Sequence, residues 1–215
     1  MKMDGKRKKL NFFFLIPLVA FTVFSSMPAL CESSGEALEQ LRGAVERIVD
    51  ILRRNEPGEQ WVDKKEEIAK IVKSRFDAEE LAQRVLARNW RERTAEEKKE
   101  FISLFSEILE TTYINRLKSY SDEEVVFVKQ IVKGNNAVVY SEIIKNQQEI
   151  PIDYRLQNNN GNWLIYDISI EGVSLVQNYR QQFDQILNRE NYAGLVLKML
   201  EKIKQNKEKD LEEKE

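Results

Sequence analysis

The chain has 215 residues, 33% charged and 42% hydrophobic, with a net charge of −2, one Cys and no His. Without His there is no Ser-His-Asp or Cys-His nucleophile, no imidazole acid or base and no His metal ligand. One Cys makes neither an intramolecular disulfide nor a Cys-rich zinc site, and the eight glycines form no phosphate-cradling loop or dinucleotide fingerprint.

Lys2, Lys6, Arg7, Lys8 and Lys9 form a basic head, followed by an apolar run from Leu10 to Phe24 and a small, polar stretch from Ser25 to Cys31. That three-part order is a secretory signal peptide. At 15 residues the run is shorter than the roughly 17–25 of a membrane-spanning helix. Residues 1–31 are therefore read as a leader cut after Cys31 or after Ala29. Leu30 argues against lipid attachment at Cys31, because that signal carries a small residue just before its Cys. Losing the leader removes five Lys/Arg and one Asp from the 34 basic and 36 acidic residues, leaving a net charge of −6. The mature chain has no Cys, so an oxidising compartment raises no thiol problem. An acidic chain with its Lys and Arg spread among Glu lacks the concentrated basic face that nucleic acid needs.

From Glu36 to Arg54, Leu38, Leu41, Val45, Ile48, Val49 and Leu52 recur at helical spacing. Asn55-Glu56-Pro57-Gly58 breaks that helix, and a second runs from Val62 to Arg75. Asp77 with Glu80 opens a helix over Ala78 to Ala87, and Thr94 with Glu97 opens a long one from Ala95 to Lys118. After Ser121-Asp122 the period changes to that of strands: Val125 to Val132, Ala137 to Ile144, Ile150 to Leu156 and Trp163 to Ile170, separated by Gly134-Asn135, Asn146-Gln147-Gln148 and the cluster Asn158 to Asn162. Short turns between neighbours require antiparallel pairing. Helices return at Ser174 to Leu187 and Tyr192 to Ile203, and residues 206–215 read as a charged, disordered tail.

The expected fold is α+β: a curved antiparallel four-stranded sheet, a helical subdomain before it and helices after it, enclosing an apolar cavity. The folded domain is residues 32–205. Trp90, Phe101, Phe105, Tyr113, Phe127, Tyr140, Tyr154, Tyr166, Tyr179 and Phe183 face the expected interior, where they either fill a core or line a ligand site.

The stretch from Tyr166 to Val176, continuing through Asn178-Tyr179-Arg180 and Phe183, resembles the signature of the MlaC family of periplasmic phospholipid-binding proteins, also called toluene-tolerance auxiliary proteins. A second block agrees: Phe76-Asp77, Leu81-Ala82, Val85-Leu86, Trp90, Thr94, Phe101, Phe105 and Tyr113. One departure is Ala87, where relatives tend to carry Gly. The resemblance covers essentially all of the mature chain. It implies a nuclear-transport-factor-like sheet around a pocket for acyl chains, and a periplasmic carrier rather than an enzyme. The carrier would exchange phospholipid between an inner-membrane ABC transporter complex and an outer-membrane lipoprotein–porin complex, maintaining outer-membrane lipid asymmetry. It would need no cofactor beyond the bound cargo and no metal.

On this reading Ile152, Tyr154 and Leu156, on one face of the third strand, touch acyl chains if that face is concave, and otherwise contact the long helix. Val173, Val176, Tyr179 and Phe183 close the pocket, or are ordinary helix-on-sheet packing. Phe101, Phe105, Leu109 and Tyr113 form the opposite wall under the same alternative. Arg180 either meets a lipid phosphate or makes a structural ion pair. Glu171-Gly172 is read as a turn and Ser174 as a helix cap. Two rival classes remain: an isomerase using Asp167 or Asp153 with a Tyr in the same cone, and an adaptor or chaperone with an amphipathic groove.

Overall fold

The computed structural model describes residues 36–120 and 123–212. The expected leader, residues 1–31, lies outside the described residues.

Helix α1 (Glu36–Arg53) buries Ala37, Leu41, Ala44 and Ile51 as one stripe. The Arg54 guanidinium then donates to the carboxylates of Glu59 and Glu67 at 2.8 and 3.0 Å, which folds the loop containing Pro57 and Gly58 onto α2 (Trp61–Arg75). Both N-terminal signals read from the sequence are present. The Glu80 N–H donates to Asp77 Oδ1 at 2.9 Å at the head of α3 (Ala78–Leu86). Thr94 and Glu97 bond reciprocally, at 3.1 and 2.9 Å, at the head of α4 (Ala95–Leu109). A 3-10 turn over Ala87–Glu92 joins α3 to α4.

The helix expected to reach Lys118 does not continue as one. After Leu109 it widens into a π turn, Glu110–Ile114, and then tightens into a 3-10 turn, Asn115–Ser119. The hydroxyl of Thr111 donates back to the carbonyls of Glu107 (2.8 Å) and Ile108 (3.2 Å), competing with the regular ladder where it changes period.

The sheet has five antiparallel strands in chain order: β1 (Glu124–Lys133), β2 (Asn136–Lys145), β3 (Gln148–Asn159), β4 (Asn162–Ile170) and β5 (Val173–Ser174). The fifth corrects the four expected: two residues are too few to carry a period-two signal. Asn146-Gln147, Asn160-Gly161 and Glu171-Gly172 turn with positive φ at both positions, the hairpin geometry that matches strand twist. Register shifts beside Val128 in β1 and Tyr166 in β4 add local twist, and the sheet is curved but unclosed.

Helix α5 (Leu175–Glu212) is broken at Asn191, whose φ of 59° divides it into arms 175–190 and 192–212. The expected helix boundary near 192 is therefore real. However, the second arm passes Ile203, and residues 206–212, assigned to a disordered tail, are helical.

The buried side chains form three clusters. The first gathers α3, α4 and both arms of α5 around Phe101, Phe105, Phe183, Leu195 and Met199. The second packs α1 onto the sheet through Ala37, Leu41, Val139, Leu156 and Trp163. The third holds α1, α2 and the turns after α4 through Ile51, Ile68 and Ile114. Phe76 packs against the first two, and next to it the Asp77 N–H donates to Ile165 O at 2.9 Å, fixing the α2–α3 junction to β4.

Candidate functional site

Strand pairing assigns the expected sheet residues to one face. Ile152, Tyr154 and Leu156 stand opposite Ser141, Val139 and Ala137 of β2 and Ile170, Ile168 and Ile165 of β4. Helix α1 covers the Leu156 end of this inner face. At the other end Ile152 is buried (7% exposed) yet belongs to none of the three clusters. Beside it Ser141, 2% exposed, donates from its hydroxyl to Ile152 O at 3.2 Å. Burial pushes the Tyr154 phenol above its ordinary value, a hydrogen bond with Ser141 opposing the shift. Ser141 was not singled out from the sequence. Its signal was a small polar residue at an inward position of β2, between Val139 and Ile143.

The helical residues are brought together elsewhere, in the first cluster. Phe101, Phe105, Tyr179 and Phe183 close on one another with centroid separations of 5.0–5.8 Å, mostly edge-to-face. Val176 is buried with them, and Leu109 and Tyr113 pack against them half-buried. The ring interior thus contacts protein on every side that these pairs describe. Tyr140 does not join it: its partners Asp153 and Lys129 put it on the outer face of the sheet, with the Lys129 ammonium 4.9 Å from its ring centroid. Val173 is on β5 and 62% exposed, so it does not close an interior. The enclosed apolar cavity is likewise not seen among the described residues. Two concavities they present are polar, at Thr111 to Ser119 with Lys202 to Asp210, and at Lys65 to Lys73 with Ser103 to Thr111.

The signature segment resolves into architecture. Asp167, 7% exposed, accepts from the Ser174 hydroxyl (2.7 Å), the Val176 N–H (3.0 Å) and Arg155 Nη1 (3.2 Å). Arg155 Nη1 also donates to Ser169 Oγ at 2.8 Å. The Ser174 hydroxyl in turn accepts from the Gln177 N–H at 3.1 Å. Two side chains therefore hold the first turn of α5, and Gly172, at φ 79°, makes the hairpin that brings Ser174 to Asp167. As a base in an apolar cone, Asp167 would need a free oxygen on the inner face. It pairs with Arg155, on the face opposite Tyr154. Asp153 shares that opposite face. Arg180 donates through Nε to Arg84 O at 2.9 Å, with Nη2 on the same carbonyl, so it closes the end of α3, and it makes no ion pair among the described residues.

The MlaC protein family model matches residues 42–202. The intermembrane phospholipid transport system binding protein MlaC of Haemophilus influenzae is 27% identical over 122 residues. That alignment spans 54% of this chain and 57% of the relative, little more than half its length. The solved structure of a phospholipid-binding protein from Ralstonia solanacearum, in complex with a phospholipid, superposes with a TM-score of 0.69 at 23% identity, covering 79% of this chain and 98% of that one.

Proposed function

The chain belongs to the MlaC family, and on that premise we propose that it binds phospholipid and carries it between membranes, with no catalytic step of its own. The observation that carries this reading is the extent of the family match, which runs through every strand of the sheet and the helices on both sides of it in sequence. The relative named for intermembrane phospholipid transport and the phospholipid-bound structural neighbour support it.

The energetics define what such a carrier must do. Exposed hydrocarbon costs about 0.8 kcal/mol per CH₂, so two chains of ~15 carbons amount to ~24 kcal/mol. The protein must replace most of that contact with its own apolar surface. The inner face of the sheet at Ile152, outside the α1 cluster, and at Tyr154, which packs on that cluster's edge, is the surface we assign to acyl chains. The leader sequence supports a periplasmic location. An inner-membrane ABC transporter complex and an outer-membrane lipoprotein–porin complex are the partners this role requires, with bound phospholipid as cargo and no other cofactor.

Organic extraction of the purified protein followed by lipid mass spectrometry tests the reading. Near-stoichiometric phospholipid is expected, and Ile152→Asp should lower it while leaving the fold intact by circular dichroism. Protein that yields no phospholipid, and takes none up from vesicles, ends the proposal.

A further inference from the structure

The inward stripe of the second arm of α5 changes chemistry along its length. Leu195, Met199 and Ile203 are buried against the ring cluster, and the next positions of the same stripe are Asn206 and Asp210. Where a further apolar residue would have zipped the arm onto the end of α4, the Asn206 amide donates to Thr111 Oγ1 at 3.1 Å and to Thr112 Oγ1 at 2.9 Å. Its partners belong to the π turn, an irregularity frequent at functional sites. A local rule broken at two facing elements is a reason to look for a ligand.

Between the arm and the turns lies a concavity of about 600 Å³ bordered by four cations, Arg116, Lys118, Lys202 and Lys209, and one carboxylate. That carboxylate, Asp210, is 3.6 Å from the Lys65 ammonium. Other lysines of the same arm are paired: Lys198 with Glu190, Lys204 with Glu208 and Lys207 with Glu107. Arg116, Lys202 and Lys209 make no ion pair among the described residues, although acidic residues outnumber basic ones in the chain. Asn115, at the start of the 3-10 turn, lines the same groove with its Oδ1 buried and unpartnered.

We propose that this groove binds a phosphate ester of a small polyol. Arg116, Lys202 and Lys209 hold the phosphate oxygens, and Asn115 Oδ1 accepts from a hydroxyl of the esterified alcohol. The same chemistry is offered by a glycerophosphate lipid headgroup and by free glycerol phosphate. The groove is argued from its own residues and does not rest on where hydrocarbon is held.

The test titrates the full chain, at low ionic strength, with sn-glycerol 3-phosphate, with inorganic phosphate and with a short-chain phosphatidylglycerol below its micelle concentration, following backbone amide shifts. Saturable shifts confined to residues of the 110–119 and 202–210 segments are expected, with glycerol phosphate bound more tightly than phosphate. Affinity should fall about tenfold in Lys202→Ala and further in the Arg116→Ala/Lys202→Ala double variant. Both side chains are exposed, so the variants should melt with the parent protein. Matching groove shifts from the phosphatidylglycerol identify the headgroup as the source, and shifts from glycerol phosphate alone identify the free ester; either supports the site. Shifts scattered over unrelated lysines, affinities unchanged in the double variant, or equal affinity for phosphate and its ester overturn it.

Discussion

The ring cluster and the inner face of the sheet are both apolar, yet they are built differently. Phe105 lies within 5.7 Å of Phe101 and Phe183 and 5.0 Å of Tyr179, measured between ring centroids, and α3 and both arms of α5 close around it. Ile152 is buried too, at 7% exposed, but belongs to no such cluster. A region that satisfies itself gives the fold its stability. A residue of the inner face that is buried outside those clusters is where we place cargo. Composition does not separate the two; contacts do.

The sharpest way to break that contrast is to truncate within the rings. Phe105→Ala should destabilise by about 3–5 kcal/mol in urea unfolding, because a cavity opens in a packed interior. Ile152→Ala should cost clearly less than this while reducing extracted phospholipid. Equal losses of stability at the two sites would erase the distinction. Next in size is Asp167→Ala, expected to cost about 2–3 kcal/mol by freeing the head of α5 and leaving Arg155 without its carboxylate. Ala87→Gly should act in the opposite direction. Ala87 has φ 48° and ψ −117°, a conformation suited to Gly. Relief of that strain should add about 1 kcal/mol and raise the melting temperature by roughly 2–4 °C in calorimetry.

The smallest effect shows its pH dependence on the alkaline side. Burial and the nearby Glu100 and Glu97 push the Tyr192 phenol up to about 12, and its hydroxyl donates to Glu97 O at 2.8 Å. The unfolded chain would ionise this phenol near its ordinary value of about 10. Its contribution to stability is therefore complete below that pH and is lost as pH rises toward 12. Tyr192→Phe should flatten that part of the pH–stability curve and lower stability at neutral pH by about 0.5–1.5 kcal/mol, the worth of the hydrogen bond it removes.

Much of this was readable in the chain. The capping pairs at Asp77 and Thr94, the four long strands and the turn at Glu171-Gly172 are local matters, decided within a few residues. The departure noted at Ala87 falls on a positive φ of 48°, visible only once the 3-10 turn was in place. What could not be read was set by partners far away in sequence. Tyr140 and Tyr154 are equally aromatic, and only their registers put them on opposite faces. Val173 was grouped with the helix residues that close the pocket because a two-residue strand has no period. Asp167 resembled a candidate base until Ser174 and Val176 folded back onto it.

One feature reaches into how the molecule comes to exist. Leu195, Met199 and Ile203 complete a cluster whose other members begin at Leu81, and the bonds tying the arm to the turns after α4 bridge 94 and 95 residues. A growing polypeptide therefore holds its aromatic rings half-uncovered until the last helix arrives. Such late closure favours slow, non-local folding and gives holdase chaperones a period in which to bind.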